Sequence, residues 1–177
     1  MTFDERRSQI RSAVWEGMIA SGIDFSRMPD KQRNALADAI TNQVLTSVNR
    51  IMEEAVPSAL AADEEVIGEE KILWQGRPFL TLNESYVITS ERIKVIRGLI
   101  GREVENYELI RVQDINVTQA PGERMFGIGD ITIHGADKTR PTLVLRNIQN
   151  PHEVYELLRK AWLKARKDFG LMFREEM

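Results

Sequence analysis

The chain has 177 residues, 42% hydrophobic and 29% charged, with no cysteine and a formal net charge of -3. That is enough for one ordinary domain with a real core plus an accessory segment, and it excludes a disulfide framework, a thiolate metal site and a cysteine nucleophile. The charge is uneven, with 7 basic and 11 acidic side chains in residues 1–65 against 17 and 16 in the rest, so neither part has the basic excess of a nucleic-acid binder.

The first segment reads as two helices. Thr2 and Glu5 have capping-box spacing, Ile10, Val14 and Met18 recur along one face, and Gly22 is placed to end the helix in a left-handed conformation. After a short loop, Pro29 suits a first helical position, and Leu36, Ile40, Val44, Val48, Ile51 and Met52 draw an apolar stripe that Pro57 ends. That second helix is expected to run about 25 residues, on the order of 37 Å. Helices with one apolar stripe each are not stable alone, so the stripe must meet the rest of the chain, the other helix or another copy. Val14, Trp15, Met18, Ile40, Val44, Val48 and Ile51 are the candidate helical interface, and packing within the chain and self-association both stay open.

Small residues followed by an acidic cluster, PSALAADEEVIG, mark a boundary: residues 1–62 form a helical segment for docking or oligomerisation, and residues 63–177 a second domain. From Lys71 the period switches to two, in the pairs Ile72 and Trp74, Tyr86 and Ile88, Ile93 and Val95, Ile115 and Val117, Ile131 and Ile133, and Leu143 and Leu145. These predict an antiparallel β domain. Turn chemistry falls between the pairs: Thr89-Ser90-Glu91, a hairpin tip bracketed by Gly98 and Gly101, a break at Pro121-Gly122, and Ala136-Asp137-Lys138. Asn150 as cap, Pro151 at the first position and Glu153 as the reciprocal partner then open a helix whose buried face is Val154, Leu157, Leu158, Ala161, Trp162 and Ala165, ending at Gly170. An open sheet needs such a cover.

The succession EEKILWQGRP, YVITSERIKVIRGLIGR, ELIRVQDINV, RMFGIGDITI and PTLVLRNIQNPHEV, over residues 67–167, is similar to the bacterial pleckstrin-homology (PH) domains of the YdbS-like type. The resemblance implies an α+β fold: a PH-like antiparallel roll of about seven strands in two nearly orthogonal sheets, capped by the C-terminal helix. The N-terminal helical pair lies outside it. Many members that resemble this family carry transmembrane helices, whereas no stretch of this chain approaches the roughly 20 uninterrupted apolar residues that a span requires. Cytoplasm is the expected compartment, with peripheral attachment at the inner face of the membrane as the alternative. No catalytic residue comes with the resemblance.

Several constellations have a functional and a plain reading. Residues 97–102 place Leu99 and Ile100 between Arg97 and Arg102 at a hairpin tip; with Arg92 and Lys94 they form the candidate surface for a partner or for an anionic membrane. The plain reading folds Leu99 and Ile100 over the open end of the roll. Lys71, Arg77, Arg92, Lys94 and Arg97 could be read as a phosphoinositide cradle, but the loop PFLTLNES contains no cation. Arg159, Lys160, Lys164, Arg166 and Lys167 read as a solvated helix end favoured by the helix dipole. Gly127 and Gly129 do not begin a dinucleotide fingerprint, since a strand follows them and the third glycine is missing. His134 and His152 have no partner at metal-ligand spacing, and nucleophile and base motifs are missing, so no catalytic residue, metal or cofactor is expected. The expectation is a non-catalytic binding or scaffolding protein with a protein partner or self-association, without nucleic acid or a small-molecule substrate. Peripheral membrane association through residues 97–102 is the alternative.

Overall fold

Helical periodicity in the first third of the chain and a period of two in the remainder produce two compact units, Met1–Ala55 and Val56–Met177. The computed structural model describes residues 3–55, 70–98, 102–136 and 141–170. The boundary expected between residues 62 and 63, the capping residue Thr2, the stop at Pro57 and the hairpin tip Leu99-Ile100 fall outside the described residues.

In the first unit α1 (Phe3–Ala20) and α2 (Asp30–Ala55) pair side by side. The expected left-handed residue after α1 is present, with Gly22 at φ 71°. The Pro29 carbonyl accepts the amides of Gln32 and Arg33 at 2.9 and 3.0 Å, so the proline stands one position before the first helical residue. Arg11 fixes the pairing of the two helices by donating its Nε to Asp38 at 2.8 Å and Nη2 to Asn34 at 3.1 Å.

Within the helical unit α2 buries a row of residues beside the apolar stripe. Ala37, Thr41, Leu45 and Asn49, four residues apart, are buried, with the Thr41 hydroxyl returned to the Ala37 carbonyl at 2.7 Å. Ile40, Val44, Val48 and Ile51 retain 37, 38, 39 and 60% exposure. At about 100° per residue the two rows lie roughly a quarter turn apart on the helix. Small Ala37 and self-satisfied Thr41 are what a close approach of backbones favours, and a count of apolar residues alone misses this.

The second unit holds seven strands among the described residues. β1 (Ile72–Gly76), β2 (Glu84–Thr89), β3 (Arg92–Arg97) and β4 (Glu103–Glu108) make one antiparallel sheet in chain order. A 3-10 turn, Leu109–Arg111, leads into β5 (Val112–Thr118), the one-turn α3 (Pro121–Met125), β6 (Ile128–Gly135) and β7 (Thr142–Gln149); β5, β6 and β7 form the second sheet. The two sheets do not join into a closed barrel. The chain break expected at Pro121-Gly122 is α3, whose first turn is tied by the Glu123 carboxylate accepting the Ala120 amide at 2.7 Å.

α4 (Pro151–Asp168) covers the core as expected: Val154, Leu158, Ala161 and Ala165 are buried, and Leu157 and Trp162 pack beside them. They meet Ile93, Val95, Ile115, Ile131, Ile133 and Leu145 from both sheets. Trp162 donates its indole N–H to the Val112 carbonyl at 3.0 Å, and Arg166 lies 5.4 Å over its ring, so one cation of the helix end stacks on an aromatic face. The expected Asn150 cap is not made. Asn150 adopts φ 48°, ψ 53°, its own amide donates to the Gly127 carbonyl at 2.9 Å, and its carbonyl accepts Glu153 and Val154. The tight exit from β7 into α4 needs a left-handed residue, which asparagine tolerates better than most.

At Gly129 β6 lies close against the end of β5 and the start of α4. A Cβ built there lies 2.7 Å from the Thr118 carbonyl oxygen and 3.1 Å from Pro151 Cγ. Gly129→Ala is therefore expected to destabilise the domain by about 1–3 kcal/mol, read as a lower urea midpoint. An unchanged midpoint would show that the two strands separate at no cost.

Candidate functional site

Ladder parity decides which backbone groups a strand keeps for its neighbour. In β3 and β4 the paired residues run from Arg92 opposite Glu108 to Arg97 opposite Glu103. The Leu109 amide donates to the Glu91 carbonyl at 2.8 Å, so residues 103, 105 and 107 bond to β3. Val104, Asn106 and Glu108 consequently turn their backbone N–H and C=O away from β3. In β6 and β7 the Gly135 amide donates to Pro141 at 2.9 Å, which places residues 141, 143 and 145 in the ladder and turns the backbone of Thr142 and Val144 away from β6. Neither β4 nor β7 pairs with a further strand among the described residues.

These two edges flank a cavity of about 270 Å³. Asn106 and Tyr107 line it from β4, Thr142, Leu143 and Val144 from β7, and Val95 from the floor. Tyr107 reaches across to Gly135 of β6, where a Cβ would collide with the phenol. Glycine at that position is what lets the sheets approach without closing.

One end of this seam is sealed. The Arg146 amide donates to the Tyr86 hydroxyl at 3.3 Å, and the Phe79 amide donates to the Asn147 carbonyl at 2.9 Å. Burial raises the Tyr86 phenol well above its ordinary pKa, so it stays a neutral hydroxyl. β7 bulges here: Gly129 faces Ile148 while Ile131 faces Leu145, Asn147 takes φ 49°, and its amide is satisfied by the Asp130 carboxylate at 2.7 Å. The side chain of Arg146 projects from the bulge with 65% of its surface exposed, its Nη1 3.9 Å from Asp130.

Arg97 lies at the same end. Its Nε donates to Glu84 at 3.1 Å and its Nη1 lies 2.9 Å from Glu105. Burial alone would lower its pKa, and the two carboxylates more than offset that, so the pKa is raised. With two carboxylates on one guanidinium, this corner is not a centre of positive charge.

The candidate surface residues do not converge. Arg92 is at the opposite end of β3, its Nε 3.0 Å from the buried carboxylate of Glu70. Lys94 is half-buried on the face shared with Arg92, one residue out of step with Arg97, and Arg102 is exposed just before β4. Leu99 and Ile100 lie outside the described residues. In the helical unit Met18 is buried, Val14 and Trp15 are half-buried, and Ile40, Val44, Val48 and Ile51 form the exposed row. The seam residues Asn106, Tyr107, Thr142 and Val144 went unread, because EVENYE carries no apolar alternation. Among the described residues no helix is long and apolar enough to cross a membrane.

Comparison with known proteins places these observations. The family model described as "Bacterial PH domain" matches residues 58–162. Among solved structures, one match is a DUF1696 family protein with a pleckstrin-homology domain from Shewanella loihica PV-4, 13% identical, covering 62% of this chain and 92% of that one, with a TM-score of 0.42. A comparison with curated proteins finds no match.

Proposed function

The chain belongs to the bacterial PH domain family, and from that premise we propose that it is a binding and scaffolding module rather than a catalyst, whose β domain takes an extended segment of a protein partner between β4 and β7. The observation that carries this reading is the pair of open edges lining one cavity, each with backbone donors and acceptors turned away from its own sheet. Such edges recognise an extended main chain, because a strand is the ligand that satisfies N–H and C=O groups in register on both sides. Each new main-chain hydrogen bond contributes about 0.5–1.5 kcal/mol net, so a few along the seam supply only part of the roughly 8 kcal/mol of a micromolar complex and side-chain contacts supply the rest. Tyr107 and Leu143 offer apolar contact for alternate side chains, and the exposed Arg146 guanidinium suits a carboxylate of the incoming segment.

A peptide-display selection against the full chain is expected to return extended peptides whose binding slows hydrogen exchange at Val104, Asn106 and Val144. Val144→Pro removes an amide that β6 does not use, a position where an edge strand tolerates proline. It is expected to weaken binding at least ~10-fold while leaving the fold intact. Selected peptides that protect other surfaces and ignore Val144→Pro would overturn the reading.

A further inference from the structure

We propose that α2 is a contact surface between two copies of this chain. The inference is independent of the seam, and it starts from two properties of one row of residues. First, Ile40, Val44, Val48 and Ile51 lie along one side of α2 at spacings of four, four and three, and remain 37 to 60% exposed, while the adjacent row from Ala37 to Asn49 is buried. Second, residues 39–49 carry no charged side chain in a chain that is 29% charged. Three turns of helix with an exposed side would ordinarily carry several charges. Here the neighbours of the stripe are Gln43, Thr46 and Ser47, and charge resumes only at Arg50.

The missing charge points to the identity of the occupant. In a two-fold contact a patch meets itself, so every charge on it would face its own kind. A neutral apolar row is self-complementary without further design, and depletion of charge from the centre is the compositional mark of an interface. Two helical pairs meeting along such rows form a four-helix arrangement, the usual way a pair of amphipathic helices completes its core. The contact runs only about 16 Å along each helix, short for an interface, which makes the association weak and reversible. A dimer assembled in this way would carry two seams.

Sedimentation equilibrium of the full chain over about 1–200 µM is expected to show a reversible monomer–dimer equilibrium. The double variant Val44→Asp, Val48→Asp is expected to raise the dissociation constant at least ~10-fold, with an unchanged unfolding midpoint because both side chains are more than a third exposed. Val44→Ser with Val48→Ser removes the same apolar surface without adding charge and decides the matter if the aspartates unfold the helices. Because the chain has no cysteine, Val48→Cys is expected to oxidise to a linked dimer faster than Ser8→Cys on the exposed side of α1. A chain that is monomeric throughout, or a dimer indifferent to both double variants, overturns the proposal. Val144→Pro is expected to be silent in this assay, so loss of one reading leaves the other standing.

Discussion

Leu158→Ala is expected to cost the β domain about 2–5 kcal/mol, a large share of the stability of a domain this size. Leu158 is fully buried at the middle of α4, among Ile115, Ile131, Ile133 and Leu145. Truncation leaves a void between the helix and both sheets, and the strands around it are held in register by their ladders, so the site collapses only in part. The same α4 supplies a control: Leu163 is 48% exposed, and Leu163→Ala is expected to stay within about 0.5 kcal/mol. Urea unfolding followed by far-UV circular dichroism separates the two variants by midpoint at constant slope. Because the chain has two compact units, the transition is to be fitted for the β domain alone, with emission from Trp74 and Trp162 in a Trp15→Phe background as the local probe. If Leu158→Ala and Leu163→Ala shift the midpoint equally, α4 is not the cover of the core that its burial pattern describes.

The elements most legible in the sequence were those with one wet and one dry face. α4 shows its buried residues at helical spacing because most of its exposed positions, Glu153, Glu156, Arg159, Lys160, Lys164 and Lys167 among them, are charged, and β6 alternates cleanly through Ile131 and Ile133. β4 hides for the converse reason: the half-buried positions at its middle are Glu105 and Tyr107, and Glu105 sits there only because Arg97 of the adjacent strand meets it. A single strand cannot disclose a residue whose acceptability depends on its neighbour. The α2 stripe is legible as apolar, but spacing does not say which surface it meets, since a helix carrying small residues on one row and branched ones on the next offers two dry faces. The seam lay further from view. It rests on which backbone groups point outward, set by ladder register and by the bulge at Arg146 and Asn147, and no side chain announces either. Of the residues marked for anionic surfaces, Arg92 and Arg97 have carboxylate partners that only the fold brings to them.

The Glu70 pairing leads to the second large effect. The Glu70 side chain is 5% exposed, its carboxylate 3.0 Å from Arg92 Nε, and it accepts the Thr89 hydroxyl proton at 2.6 Å. Thr89 in turn accepts the amides of Glu91 and Arg92 at 3.2 and 3.0 Å, and Lys71 and Ser90 exchange bonds at 2.8 and 3.0 Å, so the residues entering β1 are pinned to the turn between β2 and β3. Glu70→Ala leaves a buried hydroxyl and a guanidinium without their carboxylate. Breaking a fully buried pair costs about 3–5 kcal/mol; with Arg92 still 31% exposed to water the expected loss is about 2–3 kcal/mol. Glu70→Gln keeps the shape and an acceptor for Thr89 but drops the charge, and is expected to cost about half as much. A double-mutant cycle with Arg92→Ala is expected to give a coupling of at least ~1 kcal/mol. Strict additivity would mean that the pair is a surface coincidence and that the entry to β1 is held by the Lys71 and Ser90 bonds alone.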